Sequence, residues 1–185
     1  MQAILNVFWQ IALLREGPES LPDSRPMLML AAALYALTDS LILLSSHLGG
    51  RMLAQSWEDF SLLRQLAGLL IPIALDILLL LISVAATLFY FGNLGRLRQT
   101  LTALFGVSTL LQVISWPCFV LLFFENLSVL WAFLILALVF VLLWSIAAYG
   151  HILSHAISRS FGVGVALAAL FFFLNYQMFK LIPDF

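Results

Sequence analysis

Long stretches of apolar side chains follow one another along the chain. Five such runs cover residues 27–48, 66–91, 100–124, 127–149 and 161–182. A helix needs about 20 apolar residues to cross a hydrocarbon core of about 30 Å, and each run meets that length. Because an α-helix satisfies its backbone hydrogen bonds within one segment, it is the element expected in lipid. The pattern therefore predicts an all-α, polytopic transmembrane helical bundle of about five spans.

Short polar or glycine-rich segments separate the predicted spans. A Gly-Gly-Arg segment at 49–51 follows the first span, residues 92–96 follow the second, and the stretch 151–160 precedes the fifth. The third and fourth spans are separated only by Glu125 and Asn126, which predicts a tight helical hairpin. A stretch of about fifty apolar residues is too long for one span, so two spans are expected there.

The N-terminal segment, residues 1–26, has a different pattern. Apolar side chains such as Phe8 and Trp9 alternate with Asn6 and Gln10, which is typical of a short helix lying at the membrane interface. The residues predicted to end this helix are Gly17, Pro18, Pro22 and Pro26. No basic side chain precedes the apolar positions of this segment, so a cleavable signal peptide is not predicted.

The composition agrees with lipid as the solvent of this chain. Of its 185 residues, 64% are hydrophobic and 9% are charged, and the mean hydropathy is +1.12. Soluble domains average about 25% charged residues, so this chain is expected to fold in lipid. No low-complexity linker divides it, and residues 1–185 are expected to form a single transmembrane domain. The net charge of -1 argues against nucleic-acid binding, which needs a clustered basic face. Cys118 is the only cysteine, which excludes an intramolecular disulfide and a cysteine-based metal site.

The distribution of Lys and Arg predicts the orientation of the spans. Cytoplasmic loops carry an excess of these residues. A cytoplasmic N-terminus places five of them inside: Arg15, Arg25, Arg96, Arg98 and Arg159. The same orientation places three outside: Arg51, Arg64 and Lys180. We therefore expect a cytoplasmic N-terminus and an external C-terminus.

Four strongly polar side chains lie inside the predicted spans at broadly similar depth: Asp39, Asp76, Gln112 and Asn175. An ionised Asp at the bilayer centre costs about 2.5–3.5 kcal/mol on insertion scales, and every Arg and Lys lies in a predicted loop or near a span end. Helical spacing places Tyr35 on the face of Asp39. It also places Ser108 and Ser115 on the face of Gln112. A bundle that turns these faces inward would have a hydrogen-bonded polar centre.

Two interpretations of this polar cluster stay open. Acidic residues inside a membrane often mark a proton or ion pathway. Polar side chains also bond across helices and hold a bundle together, typically at about 0.6 kcal/mol per bond. The second interpretation is favoured, because no cation, gate or internal repeat accompanies the two acids.

Two histidines, His151 and His155, are four residues apart and would share one face of a helix. Such a pair is able to bind a metal, but a site would need further ligands from elsewhere. We expect both histidines to lie at the membrane interface without a bound metal. A less favoured hypothesis is a membrane enzyme with its site at this helix face. The sequence contains no serine-hydrolase elbow, phosphate loop or dinucleotide fingerprint, so neither catalysis nor a cofactor is predicted.

Small residues predict a packing surface on the last span. Gly164 and Ala168 form a small-xxx-small pair, a spacing that lets two helix backbones approach closely. The pair does not identify which helix packs there.

Several segments resemble one known family. The third span contains Gly106 within 101–106 and then Pro117, and the stretch 144–150 leads through Ser158 into the fifth span. In these features, and in its five spans with an interfacial N-terminal segment, the chain is similar to the Yip family of Rab-interacting membrane proteins and its bacterial relatives. The resemblance implies a small bacterial inner-membrane protein.

The departures from that family limit what the resemblance implies. Val107 stands where the family often has a Tyr after the Gly, and the long acidic cytosolic arm of the eukaryotic members is missing. Binding of a GTPase is therefore not carried over.

Together these features predict a non-enzymatic inner-membrane protein that acts as an assembly or scaffold subunit. Its expected partners are the lipid bilayer and other membrane proteins or further copies of the chain. The alternative is a small proton- or ion-coupled transport protein that uses Asp39 and Asp76.

Overall fold

Helices account for nearly all of the described chain. The computed structural model describes residues 2–54, 62–122 and 128–181. These residues contain no β-strand and form six α-helices: α1 (Gln2–Ala12), α2 (Arg25–Ala54), α3 (Leu62–Tyr90), α4 (Leu97–Leu121), α5 (Ser128–Ile157) and α6 (Phe161–Leu181). Helices α2 to α6 are each long and apolar enough to cross a membrane. The prediction of an all-α transmembrane bundle with five spans and a short N-terminal helix is confirmed.

Two of the predicted separators lie inside helices, because these helices continue beyond the predicted ends of their spans. The Gly-Gly-Arg segment at 49–51 belongs to α2, which continues to Ala54. Helix α5 continues to Ile157 and includes most of the 151–160 stretch. Four apolar side chains of that stretch are buried: Ile152, Leu153, Ala156 and Ile157. Tertiary packing of such side chains stabilises a helix more than local propensity does.

The third and fourth predicted spans are two separate helices, because α4 ends at Leu121 and α5 begins at Ser128. The hairpin residues Glu125 and Asn126 lie outside the described residues, as does Ile182 at the end of the predicted fifth span. The separator at 92–96 is confirmed as a turn followed by a short 3₁₀ helix.

Helix α4 lies at the centre of the bundle. It packs against α2 and α5, and α5 packs against α6, whereas α3 has fewer contacts and shares them among its neighbours. Every residue of α4 from 101 to 108 is buried, whereas residues 130–147 of α5 include none that is buried. The close-packed core therefore occupies the half of the bundle where α4 begins and α5 ends.

Three connections lie at that end of the bundle, which we name the basal end: residues 13–24, 91–96 and 158–160. Helices α3 and α5 are each followed there by a residue with positive φ, Gly92 at 74° and Ser158 at 53°. This backbone geometry closes a helix and turns the chain sharply. The opposite end of the bundle is named the distal end.

Helix α1 packs its inner face against α4 and α5. Phe8, Ile11 and Ala12 are buried there. The ring of Phe8 lies against Gly106 of α4, where a Cβ atom would overlap it. The indole Nε1 of Trp144 donates a hydrogen bond of 2.7 Å to the carbonyl oxygen of Ala12, the last residue of α1. The chain after α1 is thus anchored to the bundle before α2 begins.

The small-residue pair on the last span packs against α5 of the same chain. Gly164 and Ala168 are buried, and a Cβ atom at Gly164 would overlap the carbonyl oxygen of Gly150. The two helix backbones touch at this point because both positions are glycine. The structure therefore supplies the partner that the sequence pattern did not identify.

Candidate functional site

Asp76 on α3 is bonded to two other helices. Its Oδ2 accepts a hydrogen bond from the hydroxyl group of Tyr35 on α2. Its Oδ1 accepts a hydrogen bond from the amide nitrogen of Asn175 on α6. Asp76 and Tyr35 are both 6% exposed. A carboxyl group with both oxygens occupied by donors on α2 and α6 ties three helices together.

Asp39 belongs to a second hydrogen-bonded set. Its Oδ1 accepts a hydrogen bond of 3.3 Å from Nε2 of Gln112 on α4. The Oε1 atom of the same Gln112 accepts a hydrogen bond from the hydroxyl group of Thr38 on α2. The side-chain amide of Gln112 therefore bridges two neighbouring residues of α2.

A third polar pair joins α4 to α5. Ser108 Oγ and the hydroxyl oxygen of Tyr149 are 2.6 Å apart, and both residues are buried. These two residues and members of the other two sets border a cavity of about 140 Å³. Its polar lining consists of Tyr35, Ser108, Gln112, Ser115, Ser145 and Tyr149. The apolar lining includes Leu111, Val141 and Phe172.

The four polar residues singled out in the sequence thus lie in two hydrogen-bonded sets, Asp76 with Asn175 and Asp39 with Gln112. Tyr35 was expected on the face of Asp39, but its hydroxyl group bonds to Asp76. The two acids therefore have different partners, although their spans place them at broadly similar depth.

The predicted stripe of Ser108, Gln112 and Ser115 lines the cavity. Tyr149, which also lines it, was not predicted as a member of the polar centre. It lies near the end of an apolar run, where tyrosines commonly mark the membrane interface. No local pattern signals that its hydroxyl group meets Ser108, because the two residues are 41 positions apart.

The two histidines lie near the basal end and contact the segment before α2. His151 Nε2 lies 3.0 Å from the carbonyl oxygen of Glu16. His155 Nδ1 lies 2.9 Å from Oε1 of Glu19, and the two imidazole rings are 4.5 Å apart. Among the described residues, no three His, Cys, Asp or Glu side chains are grouped so that they could hold a metal ion.

Glu19 is the carboxylate that faces these histidines. Partial burial opposes its ionisation, but hydrogen bonds from its own backbone N–H and from His155 favour the charged form. The positive charge of Arg96 acts in the same direction. The net result is a pKa of Glu19 below its ordinary value, so this carboxyl group is ionised at neutral pH.

These features define a class, a multi-pass α-helical membrane protein with a polar, hydrogen-bonded centre. Comparison of the chain with protein-family models, with curated proteins and with solved structures finds no match.

Proposed function

We propose that this chain is a non-enzymatic protein of the bacterial inner membrane that assembles or organises other membrane components. The observation that carries the proposal is the use of Asp76, whose two oxygens accept hydrogen bonds from Tyr35 and Asn175. A carboxyl group that transfers protons must exchange them with an open pathway. Asp76 is only 6% exposed and its oxygens are occupied, which supports a role in holding helices together.

The surface proposed for assembly is the distal half of α5. Residues 130–147 include none that is buried. Phe133, Leu136 and Phe140 are 69%, 66% and 63% exposed, and their spacing places them on one face of the helix. Lipid tails and a partner helix are both able to cover such an apolar face. A crosslinking experiment shows which of the two contacts it.

A photoreactive phenylalanine analogue at Phe133 should crosslink in membranes to a discrete protein, either a partner or a second copy of the chain. The matched control is the same analogue at Phe89 of α3, which is 73% exposed and should react only with lipid. Crosslinked products are separated by gel electrophoresis and identified by mass spectrometry. Lipid adducts alone at both positions would contradict the assembly role.

The orientation of the spans is part of the proposal and has its own test. The basal end carries Arg96 and Arg159 on two of its three helix connections, as expected for a cytoplasmic face. Reporter fusions at Gly95 and Ser160 should therefore read as cytoplasmic, and a fusion at Phe185 should read as external. A cytoplasmic signal at Phe185 would show that the proposed topology is wrong.

The alternative function is proton- or ion-coupled transport. The cavity of about 140 Å³ favours it, because Tyr35 and Gln112 line the cavity and also bond to the two acids. Under this alternative, Asp39 and Asp76 would exchange protons with the cavity. Measurement of proton flux in vesicles, described below for Asp76, distinguishes the two functions.

A further inference from the structure

A second and larger cavity opens at the basal end of the bundle. Its volume is about 500 Å³, which is within the range of small-molecule sites. We name it the basal cavity, and its lining includes Glu19, Arg96, His155, Ser158, Arg159 and Phe161. It is distinct from the polar centre, since none of these residues belongs to the Asp39 or Asp76 sets.

Two arginines give the basal cavity its positive charge. Nη1 of Arg96 donates hydrogen bonds of 3.0 Å to the carbonyl oxygen of His155 and 3.1 Å to Oγ of Ser158. These bonds hold the guanidinium group at the end of α5. Arg159 lies over the ring of Phe91, at 5.8 Å from its centroid. Neither arginine takes part in a salt bridge formed within the described residues.

One carboxylate, Glu19, borders the same cavity. Its Oε1 atom is 2.9 Å from His155 Nδ1, so its side-chain hydrogen-bond partner is the imidazole ring, while the charge of Arg96 acts on it without a hydrogen bond. Two guanidinium groups therefore outweigh one carboxylate. The positive end of the α6 dipole adds to this potential, because the helix begins at Phe161 on the cavity border.

An apolar surface continues from the rim of the basal cavity. Phe161 lines the cavity and is 48% exposed. Tyr90 is 83% exposed. It precedes Phe91, the residue whose ring lies beneath Arg159. A ligand with a negatively charged head group and an apolar tail could contact the arginines and this apolar surface at the same time.

We propose that the basal cavity binds a phosphate group, carried either by an anionic phospholipid or by a soluble phosphate compound. Guanidinium groups bind phosphate oxygens through pairs of charge-assisted hydrogen bonds. Arg159 supplies the principal contact, and Arg96 supplies the second from its fixed position at the end of α5. The proposal is independent of the assembly role and of the polar centre.

The test is a titration of the full-length protein in mild detergent, with dioctanoyl phosphatidylglycerol in one arm and sodium phosphate at matched ionic strength in the other. Arg159→Gln should weaken binding by about tenfold or more, the loss expected for one charge-assisted hydrogen bond. Glu19→Gln should strengthen binding, because it removes a negative charge from the cavity border. The matched control is Arg25→Gln, which makes the same charge change at the basal end outside the cavity and should alter affinity by less than about twofold.

The two arms identify the source of the phosphate group. Tighter binding of the lipid than of sodium phosphate assigns the site to a phospholipid headgroup, and equal or tighter binding of sodium phosphate assigns it to a soluble ligand. Thermal unfolding without ligand verifies that each variant is folded. The proposal is overturned if neither compound binds, or if Arg25→Gln weakens binding as much as Arg159→Gln does.

Discussion

Asp76→Leu should destabilise the bundle by about 2–4 kcal/mol, because it leaves one buried and one half-buried donor without an acceptor. Those donors are the hydroxyl group of Tyr35 and the amide of Asn175, which lie on different helices. Asp76→Asn should cost less than about 1 kcal/mol, since Asn keeps the size of Asp and a carbonyl acceptor, and its amide group can donate to the Tyr35 oxygen. The measurement is thermal and denaturant unfolding in detergent.

The Asp39 variants provide the matched comparison. Asp39 accepts a hydrogen bond of 3.3 Å from Gln112, so Asp39→Leu strands one donor, and that donor is only half-buried. Its cost should be smaller than that of Asp76→Leu. An equal cost for the two Leu variants would contradict the special position of Asp76 between three helices.

Proton flux in vesicles, measured on the same Asp76 variants, separates assembly from transport. Asn cannot release a proton in the physiological range, so a transport role predicts that Asp76→Asn abolishes flux while the protein stays folded. The assembly role predicts no specific flux in the wild type or in any variant. Wild-type flux that Asp76→Asn abolishes would overturn the assembly proposal.

Gly164→Ala should destabilise the bundle by about 2–3 kcal/mol through overpacking, although it adds only one methyl group. The added Cβ atom would overlap the carbonyl oxygen of Gly150 and come within 2.8 Å of Ser154 Cβ. The obstacle is mostly backbone, which cannot rotate away as a flexible side chain can. Helices α5 and α6 would have to separate along their close contact.

Gly162→Ala is the control for this change. Gly162 lies on the same helix, and a Cβ atom there would meet nothing within 4 Å. Ala is also the better helix former by about 1 kcal/mol, so Gly162→Ala should be neutral or slightly stabilising. Both variants are compared by thermal unfolding in detergent. If they behave alike, the α5–α6 contact is not as close as described.

Much of the architecture could be predicted from the sequence because lipid imposes a simple rule. A segment that crosses the hydrocarbon core must satisfy its own backbone, so about 20 apolar residues indicate a helix. The five apolar runs correspond to α2 to α6 for this reason. The helices extend beyond the predicted spans at 49–51 and at 151–157, where polar or glycine residues continue a helix into the distal or basal end.

Local spacing predicted which polar groups share a helix face, but not which groups bond between helices. Helical spacing correctly placed Ser108, Gln112 and Ser115 on one face, since that periodicity is local. The bonds of Asp76 to Tyr35 and Asn175 join residues 41 and 99 positions apart. No local period encodes such a pairing, because it depends on how the helices are arranged around one another.

The sequence by itself determined that this protein is a helical membrane bundle, which polar groups its spans contain, and that Gly164 and Ala168 form a packing surface. Only the tertiary structure decided that α5 covers that surface, that Asp39 and Asp76 bond within separate sets, and that two arginines border one cavity. The physical reason is the range of the interactions. Hydrophobicity and helical period act within a segment, whereas hydrogen bonds between helices and cavities at their ends arise only when distant segments are packed together.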